Sequence, residues 1–528
     1  MPINITFAEG EPRLALNAPG FGGSVWDVDE KILDRFRLWI DRYRGLLLEP
    51  EPAALLELGR EMYGWLDNSG FMAHVLSGGG GVPLVIYFSV PARPGDHQLL
   101  FLEVPWELLA DSRGFLAGDP DILYTPVRRV PAAGTPRPPS PHRLYTVFMA
   151  ASPRGVDMLD FEKEEQAIQT ASGSLGMDMV VEESGSLEGL GECIARYGVP
   201  DVLHLSCHGH PGSEDSGDPV LAMETFEGDP DHVVPKRLAE GLGGSVPGLL
   251  FLSACGTGYP DNFLNSYSAR MLRSGVPSVL GWGGSVTDTE ATAFAGQLYR
   301  NLSRSEPVTG AVARARAALM DEVRSKPERF GYGESRDWHL ARLYAQEGAA
   351  GKLSDGRKAR GPRSTEYGHK EFLDTKGSRV PVAGRWQFVG RRKYIQRILR
   401  EFREPGHAGV LVHGFGSQGK SSLAARVANR LGKRRLVLIY NHYDALSILD
   451  AIAAETGSGE IWEMANSERE ALEKDPARIF PLMKRILETC CAEVETDDKG
   501  REVSHPLFLV IDDFEQALDK PGDRDQLH

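Results

Sequence analysis

From residue 143 to about 348, short apolar runs alternate with stretches of helical spacing, and this alternation narrows the fold more than any other feature of the chain. Leu144–Ala150, Met177–Glu182, Val202–Ser206, Leu249–Ser253 and Ser278–Gly281 have the length and composition of buried strands. Phe161–Ser172, Leu187–Tyr197, Tyr267–Arg273 and Thr289–Leu302 place apolar residues three and four apart, the spacing of an amphipathic helix. Parallel strands cannot be joined by a tight hairpin and need a crossover, usually a helix. The expectation is an α/β unit over residues 131–348, a parallel sheet with helices on both faces.

The flanks read differently. Residues 1–130 hold two helical patterns, Val28–Leu48 and Pro52–Leu66, the first with Ile32, Phe36, Trp39 and Ile40 on one face. After the glycine run Gly78–Gly81 come two strand-like pieces, Pro83–Val90 and Gln98–Val104, so an N-terminal α+β extension packing on the main unit is expected. Pro131–Arg143 is proline-rich and reads as an extended connector. Residues 349–386 read as a basic flexible linker, because Gly348–Arg363 is rich in Gly, Ala, Lys and Arg with almost no large apolar side chains. A second α/β domain is expected over 387–528, with Val410–Val412, Leu436–Tyr440 and Leu507–Ile511 as strands.

With 528 residues, several domains are expected. A formal net charge of −15 repels nucleic acid and anionic lipid, so neither is expected as a partner. The five cysteines, Cys193, Cys207, Cys255, Cys490 and Cys491, show no CxxC spacing, which argues against a zinc site or a disulfide framework and for a reducing compartment. No secretory leader or membrane-spanning run is visible, so a cytoplasmic protein is expected.

Two of the apolar runs end in chemically suggestive pairs. Val202-Leu-His-Leu-Ser-Cys-His-Gly209 closes on His208-Gly209, and Leu249-Leu-Phe-Leu-Ser-Ala-Cys-Gly256 closes on Cys255-Gly256. Reactive groups of an open parallel sheet gather beyond the carboxyl ends of its strands. If the two strands are neighbours, His208 as general base meets Cys255 as nucleophile there. The amides of Gly209 and Cys255 are the candidate oxyanion donors. Cys207 and His204 lie within the strand and read as structural, whereas His210 follows the candidate base and is a candidate cleft residue.

Residues 100–345 resemble the CHAT family of caspase-like proteases. The resemblance rests on Leu102-Glu-Val-Pro-Trp-Glu-Leu-Leu109, Leu159-Asp-Phe-Glu-Lys-Glu-Glu165, the two strand ends above, Gly275-Val-Pro-Ser-Val-Leu280 and Trp338–Tyr344. It implies a caspase-like parallel-sheet sandwich and carries the catalytic roles onto His208 and Cys255. Asp288 is a candidate acidic floor for a basic substrate side chain, but Thr287-Asp-Thr-Glu290 also reads as a helix capping box.

Val410-Leu-Val-His-Gly414-Phe-Gly416-Ser-Gln-Gly419-Lys420-Ser421 fits G-x-x-x-x-G-K-[ST]. Loop amides and a helix N-terminus would cradle phosphates, with Lys420 on the β/γ oxygens and Ser421 on Mg²⁺. Leu507–Ile511 followed by Asp512-Asp513 reads as the strand whose carboxylate helps to hold that metal, so ATP with Mg²⁺ is the expected cofactor. Phe388-Val-Gly-Arg-Arg392 is similar to the pocket entry of STAND signalling NTPases, in which an effector, a nucleotide switch and a sensor follow one another. The sequence ends at His528, soon after the second motif, and the expectation is a partial, truncated module with little turnover.

The functional expectation is a cysteine endopeptidase acting as a gated effector in bacterial antiviral or conflict signalling. It would cut a partner protein, such as a toxic or pore-forming effector, when a trigger sensed beyond His528 engages the switch, with oligomerisation on activation. The alternative is a catalytically inactive caspase-like scaffold in a nucleotide-dependent assembly.

Overall fold

The computed structural model describes residues 2–8, 12–67, 70–77, 83–131, 136–173, 175–210, 218–256, 263–358, 371–375, 378–384, 388, 390–402, 406, 409–431, 435–492, 494–496, 502–504 and 507–515. The chain folds as two units: Met1–Thr225 with Asp229–Thr365, and Phe226–Gly228 with Glu366–His528.

In the first unit the strands are β1 (Pro2–Phe7), β2 (Arg13–Asn17), β3 (Ser24–Asp27), β4 (Val85–Ser89), β5 (Thr125–Arg129), β6 (Ser140–His142), β7 (Tyr145–Ala150) and β8 (Asp178–Glu182). They continue as β9 (Val202–His210), β10 (Val220–Glu224), β11 (Pro230–Val233), β12 (Leu249–Gly256), β13 (Ser278–Trp282), β14 (Ala341–Ala345) and β15 (Ser354–Lys358). The helices are α1 (Glu30–Leu48), α2 (Pro52–Leu66), α3 (Phe71–Ser77), α4 (Asp96–Glu103), α5 (Phe161–Ser172) and α6 (Leu187–Tyr197). After them come α7 (Pro235–Gly241), α8 (Phe263–Arg273), α9 (Asp288–Leu302), α10 (Val308–Ser325) and the single turn α11 (Pro327–Phe330).

Among the described residues thirteen strands form one mixed sheet, ordered β11-β10-β9-β12-β13-β14-β5-β4-β1-β2-β3, with β7 on β9 and β8 on β7. Its centre is parallel, as the alternation requires: β8, β7, β9, β12 and β13 run the same way. β14 returns antiparallel to β13, and β5 pairs parallel to β14. Five strands from residues 1–130, β5, β4, β1, β2 and β3, continue the same sheet, and β4 lies in the expected run Pro83–Val90. Leu203, Leu205, Leu250 and Leu252 are fully buried, and each such side chain stabilises the fold by about 1.5–3 kcal/mol. Helices α5, α9 and α10 pack together on one face. On the other, α8 sets Leu264 against Gly281, where a Cβ would lie 2.5 Å from the leucine Cδ1.

Three expectations from the sequence are corrected. Gln98–Val104 is not a strand; α4 covers most of it, and the Gln98 side chain accepts from the Gly95 amide at 2.7 Å at the helix start. A short apolar run carries no period that separates strand from helix, and the local cap decided it. The stretch 349–386 is not a bare linker. β15 pairs parallel to β6, inside the proline-rich connector, and a hairpin follows. Residues 359–370, and with them part of the expected linker, lie outside the described residues, as do Gly78–Gly81.

The second unit opens with that hairpin, β16 (Glu371–Thr375) and β17 (Ser378–Val382), then α12 (Arg392–Glu401) and α13 (Lys420–Arg430). The rest comprises β18 (Arg435–Ile439), α14 (Ala445–Thr456), α15 (Gly459–Lys474), α16 (Ile479–Ala492), β19 (Val494–Thr496), β20 (Glu502–Ser504) and β21 (Leu507–Ile511). β18 and β21 pair in parallel. Leu438, Phe508 and Val510 join Leu373, Val380 and Leu423 in one core, while Val437 and Ile439 join Ile452, Ile461 and Ile486 in another. That split follows the two-residue period of a strand covered on both faces. The third correction falls here: Val410–Val412 is not a strand, and Leu411 is 81% exposed. β-Branched residues favour a ladder, but a ladder needs a partner, and no described strand lies beside this run.

Candidate active site and phosphate loop

The ladder of β9 and β12 runs past the apolar cores to the residues singled out by the sequence. Its last rungs pair Ser206 with Ser253, Cys207 with Ala254, His208 with Cys255 and Gly209 with Gly256. The predicted base and nucleophile are thus register partners at the carboxyl ends of adjacent parallel strands. On its other side β9 changes neighbour within this stretch. It pairs with β7 up to Ser206, opposite Ala150, and with antiparallel β10 from His208, opposite Ala222. The sheet forks beside His208.

The chain leaving β7 fills the fork. The Ala151 amide donates to the Ser206 carbonyl at 2.8 Å, and the Ser152 amide donates to Glu224 Oε1 of β10 at 2.9 Å, so the loop is tied to both branches. It then turns back over the histidine, and His208 Nε2 lies 2.9 Å from the Asp157 carbonyl oxygen. A carbonyl only accepts, so Nε2 carries the proton and Nδ1 is left as the acceptor nitrogen. Nδ1 is buried and has no hydrogen-bond partner among the described residues. His210 is half-buried, with its ring 6.3 Å from that of His232. Burial, then the neighbouring His208 and His232, hold its pKa below the ordinary imidazole value.

Two rungs before the pair lies a buried polar cluster that sequence reasoning missed. Glu164 of α5 accepts from Ser206 Oγ at 3.0 Å and from Ser253 Oγ at 2.9 Å. Its Oε1 is 3.3 Å from His204 Nε2, and His204 Nδ1 is 3.1 Å from the Tyr299 hydroxyl of α9. A signal was present in the sequence. Glu164 falls on the same helical stripe as Phe161 and Ile168, so a carboxylate faces the core. Cys207 is buried, on the opposite phase of the strand.

Asp288 is exposed in the first turn of α9, within electrostatic range of Lys163. The cap is Thr287, whose side chain accepts from the Glu290 amide, while the Thr287 amide and hydroxyl donate to Asp337. Glu290 does not close the box; it accepts from Ser335 and from the amides of Arg336 and Asp337. Burial and the Glu290 charge push the Asp337 carboxyl up to about 6.

In the second unit the phosphate loop leads into α13 through Gly419, whose φ of +78° suits a residue without a Cβ. Gly414 has φ +154°, and Lys420 Nζ donates to the carbonyls of Gly414 and Phe415 at 3.1 and 3.3 Å. Arg391, from the Phe388–Arg392 stretch, stands beside the loop: a Cβ on Gly419 would lie 3.2 Å from its Nη1. At the end of β21, Asp512 is 7% exposed, and its Oδ2 is buried without a hydrogen-bond partner among the described residues. Burial pushes the Asp513 carboxyl up, with Asp512 and Glu515 adding to the rise and Lys420 opposing it. Lys420, half-buried Ser421 and Asp512 are the groups that could hold a nucleotide phosphate and a divalent cation. The unpaired Asp512 oxygen fits a cation ligand, because a buried carboxylate oxygen left alone is costly.

A model of the CHAT domain matches residues 96–352. This chain carries a CHAT domain. A second model, the AAA ATPase domain, matches residues 387–524, so the CHAT domain is followed by an ATPase domain. Among solved structures, the CHAT-bearing chain is similar to the Arg-specific cysteine proteinase gingipain R at 11% identity, with a TM-score of 0.34 over 61% of this chain and 75% of that one. It is also similar to the complex of Porphyromonas gingivalis RgpB pro- and mature domains, at 10% identity and a TM-score of 0.32 over 62% of this chain and 78% of that one. No curated protein matches the chain. Among the described residues, no helix is long and apolar enough to cross a membrane.

Proposed function

We propose that the CHAT domain is a cysteine endopeptidase with His208 and Cys255 as its dyad. The observation that supports this most directly is their shared rung at the fork of the sheet, with His208 held through Nε2 and its Nδ1 without a hydrogen-bond partner among the described residues. In this reading Nδ1 takes the Cys255 thiol proton and the thiolate attacks the scissile carbonyl carbon. The resulting oxyanion is met by the amides of Gly209 and Cys255. The imidazolium returns the proton to the leaving amine, leaving a thioester. Water, deprotonated by His208, then hydrolyses the thioester and regenerates the thiol. Asp288, at the same edge of the sheet, is the proposed contact for a basic substrate side chain.

We further propose that the ATPase domain is a STAND-type switch that gates the protease in bacterial antiviral signalling in the cytoplasm. ATP with Mg²⁺, when bound, supplies the negative phosphates that Lys420 and the loop amides Gly414–Gly419 hold, with Ser421 and Asp512 on the cation. Gating then shifts a balance between inactive and active protease states, with oligomerisation on activation. The proposed target is a partner protein released as a toxic or pore-forming effector by one cut. The test is to map new protein N-termini in cells expressing the chain or its Cys255→Ala form, with and without the trigger. Cleavage that needs Cys255 supports the endopeptidase. Trigger-dependent signalling that survives Cys255→Ala, with no new N-termini, supports a scaffold instead.

A further inference from the structure

Glu164 joins the two strands that carry the dyad. Its carboxylate oxygens accept one hydrogen bond each from Ser206 of β9 and Ser253 of β12, residues that are themselves register partners. Ser206 stands two residues before His208 and Ser253 two before Cys255, so each serine shares the pleat phase of the dyad residue on its own strand. All three side chains are buried, at 5%, 3% and 6% exposure. Trp282 Nε1 approaches Ser253 Oγ at 3.4 Å from β13, and His204 with Tyr299 closes the cluster on the other side.

A carboxylate in such a place has a cost that packing alone does not justify. Removing an ionised group from water costs several kcal/mol even after relaxation, and an apolar residue on the α5 stripe would avoid it. The return is directional. Two charge-assisted hydrogen bonds fix the spacing and stagger of β9 and β12 two rungs before the reacting groups, which hydrophobic contact cannot specify. The need for this is local. β9 loses β7 as a neighbour just after Ser206 and gains β10 only at His208, so the ladder on that side is interrupted where the dyad begins.

We infer that Glu164 is a positioning residue: through Ser206 and Ser253 it holds the two strand ends in the geometry that lets His208 activate Cys255. This rests on the proposed dyad, and the experiment separates the two. The whole chain is alkylated with iodoacetamide over a range of pH, the rate is read by mass spectrometry on the peptide containing Cys255, and folding is checked by thermal melting. His208→Ala is the control for the dyad and should remove the low-pH reactivity of Cys255. Glu164→Ala should slow alkylation at pH 7 roughly tenfold or more, and its apparent pKa should rise toward the free-thiol value of about 8.5. Glu164→Gln keeps the shape and can still accept from one serine, so it should stay within about threefold of the unaltered chain. If Glu164→Ala does not fold, Ser206→Ala and Ser253→Ala, each freeing one strand, should show the same rise in apparent pKa to a smaller extent. Folded variants that keep the original rate and pH profile, while His208→Ala loses both, would overturn the positioning role and leave the dyad intact. If His208→Ala itself keeps both, the dyad is the part that fails.

Discussion

Cys255 and His208 are register partners: their Cα positions face each other on the next-to-last rung of the parallel ladder between β12 and β9. That rung lies beside the fork, where β9 exchanges β7 for β10 and the Asp157 carbonyl of the loop from β7 accepts a hydrogen bond from His208 Nε2.

The tautomer has a testable consequence. In the proposed dyad Nε2–H is committed to a carbonyl, which leaves Nδ1 to act as the base. His208→Gln and His208→Asn should both abolish proteolysis and leave the fold intact, since one hydrogen bond to Asp157 is worth only about 1 kcal/mol. Cleavage assays together with urea unfolding check this. Retained cleavage in both variants would sink the assignment.

Glu107 is a structural anchor, and its removal should unfold the CHAT domain before it alters any chemistry. It is fully buried and takes both ends of the Arg128 guanidinium, at 2.6 and 2.9 Å, with Arg316 at 3.6 Å from the same carboxylate. Burial pushes its pKa up, but Arg128, then Arg316 and Arg342, draw it below the ordinary value. Glu107→Ala leaves three buried guanidinium groups without their carboxylate and should cost about 3–5 kcal/mol, read as a lower urea midpoint. A loss under 1 kcal/mol would contradict this account.

Asp337 should make the CHAT domain less stable as pH rises. Its folded pKa, raised to about 6, exceeds the unfolded value, so the folded state binds the extra proton between the two. The stabilisation is full below the unfolded pKa of about 3.9 and is lost as pH rises through about 6. Asp337→Asn should therefore be more stable than the unaltered chain at pH 7, by an amount on the order of 1–2 kcal/mol, with the gap closing toward pH 4. Denaturant unfolding at several pH values measures it, and a gap that widens on acidification would show the sign to be wrong.

Lys420 and Asp512 should report nucleotide separately. Among the described residues Lys420 donates to loop carbonyls, which a phosphate would displace, so Lys420→Ala should weaken ATP binding by roughly tenfold or more, with or without Mg²⁺. Asp512→Asn should weaken it chiefly when Mg²⁺ is present, because its unpaired Oδ2 is the cation ligand in this reading. Titration of a fluorescent ATP analogue with and without Mg²⁺ distinguishes the two. Equal loss in both conditions for Asp512→Asn would remove it from the metal site.

The sequence by itself determined what local pattern can determine. Helices α2, α5 and α6 begin and end where the apolar spacing predicts. The central strands follow from uninterrupted β-prone runs, and His208, Cys255 and the phosphate loop stand out because glycine and a reactive residue follow such runs. Tertiary structure decided everything that depends on a distant partner. Val410–Val412 has strand composition yet no ladder, Gln98–Val104 has strand composition yet takes a helical cap, and the supposed linker supplies β15 because Ser140–His142 offers an edge. Hydrogen-bond ladders join residues far apart in the chain, so propensity proposes a strand and only a neighbour completes it. The same reason hid Glu164. Its place on an apolar helical stripe was visible, but the serines that justify its charge lie 42 and 89 residues away, and folding alone brings them to one carboxylate.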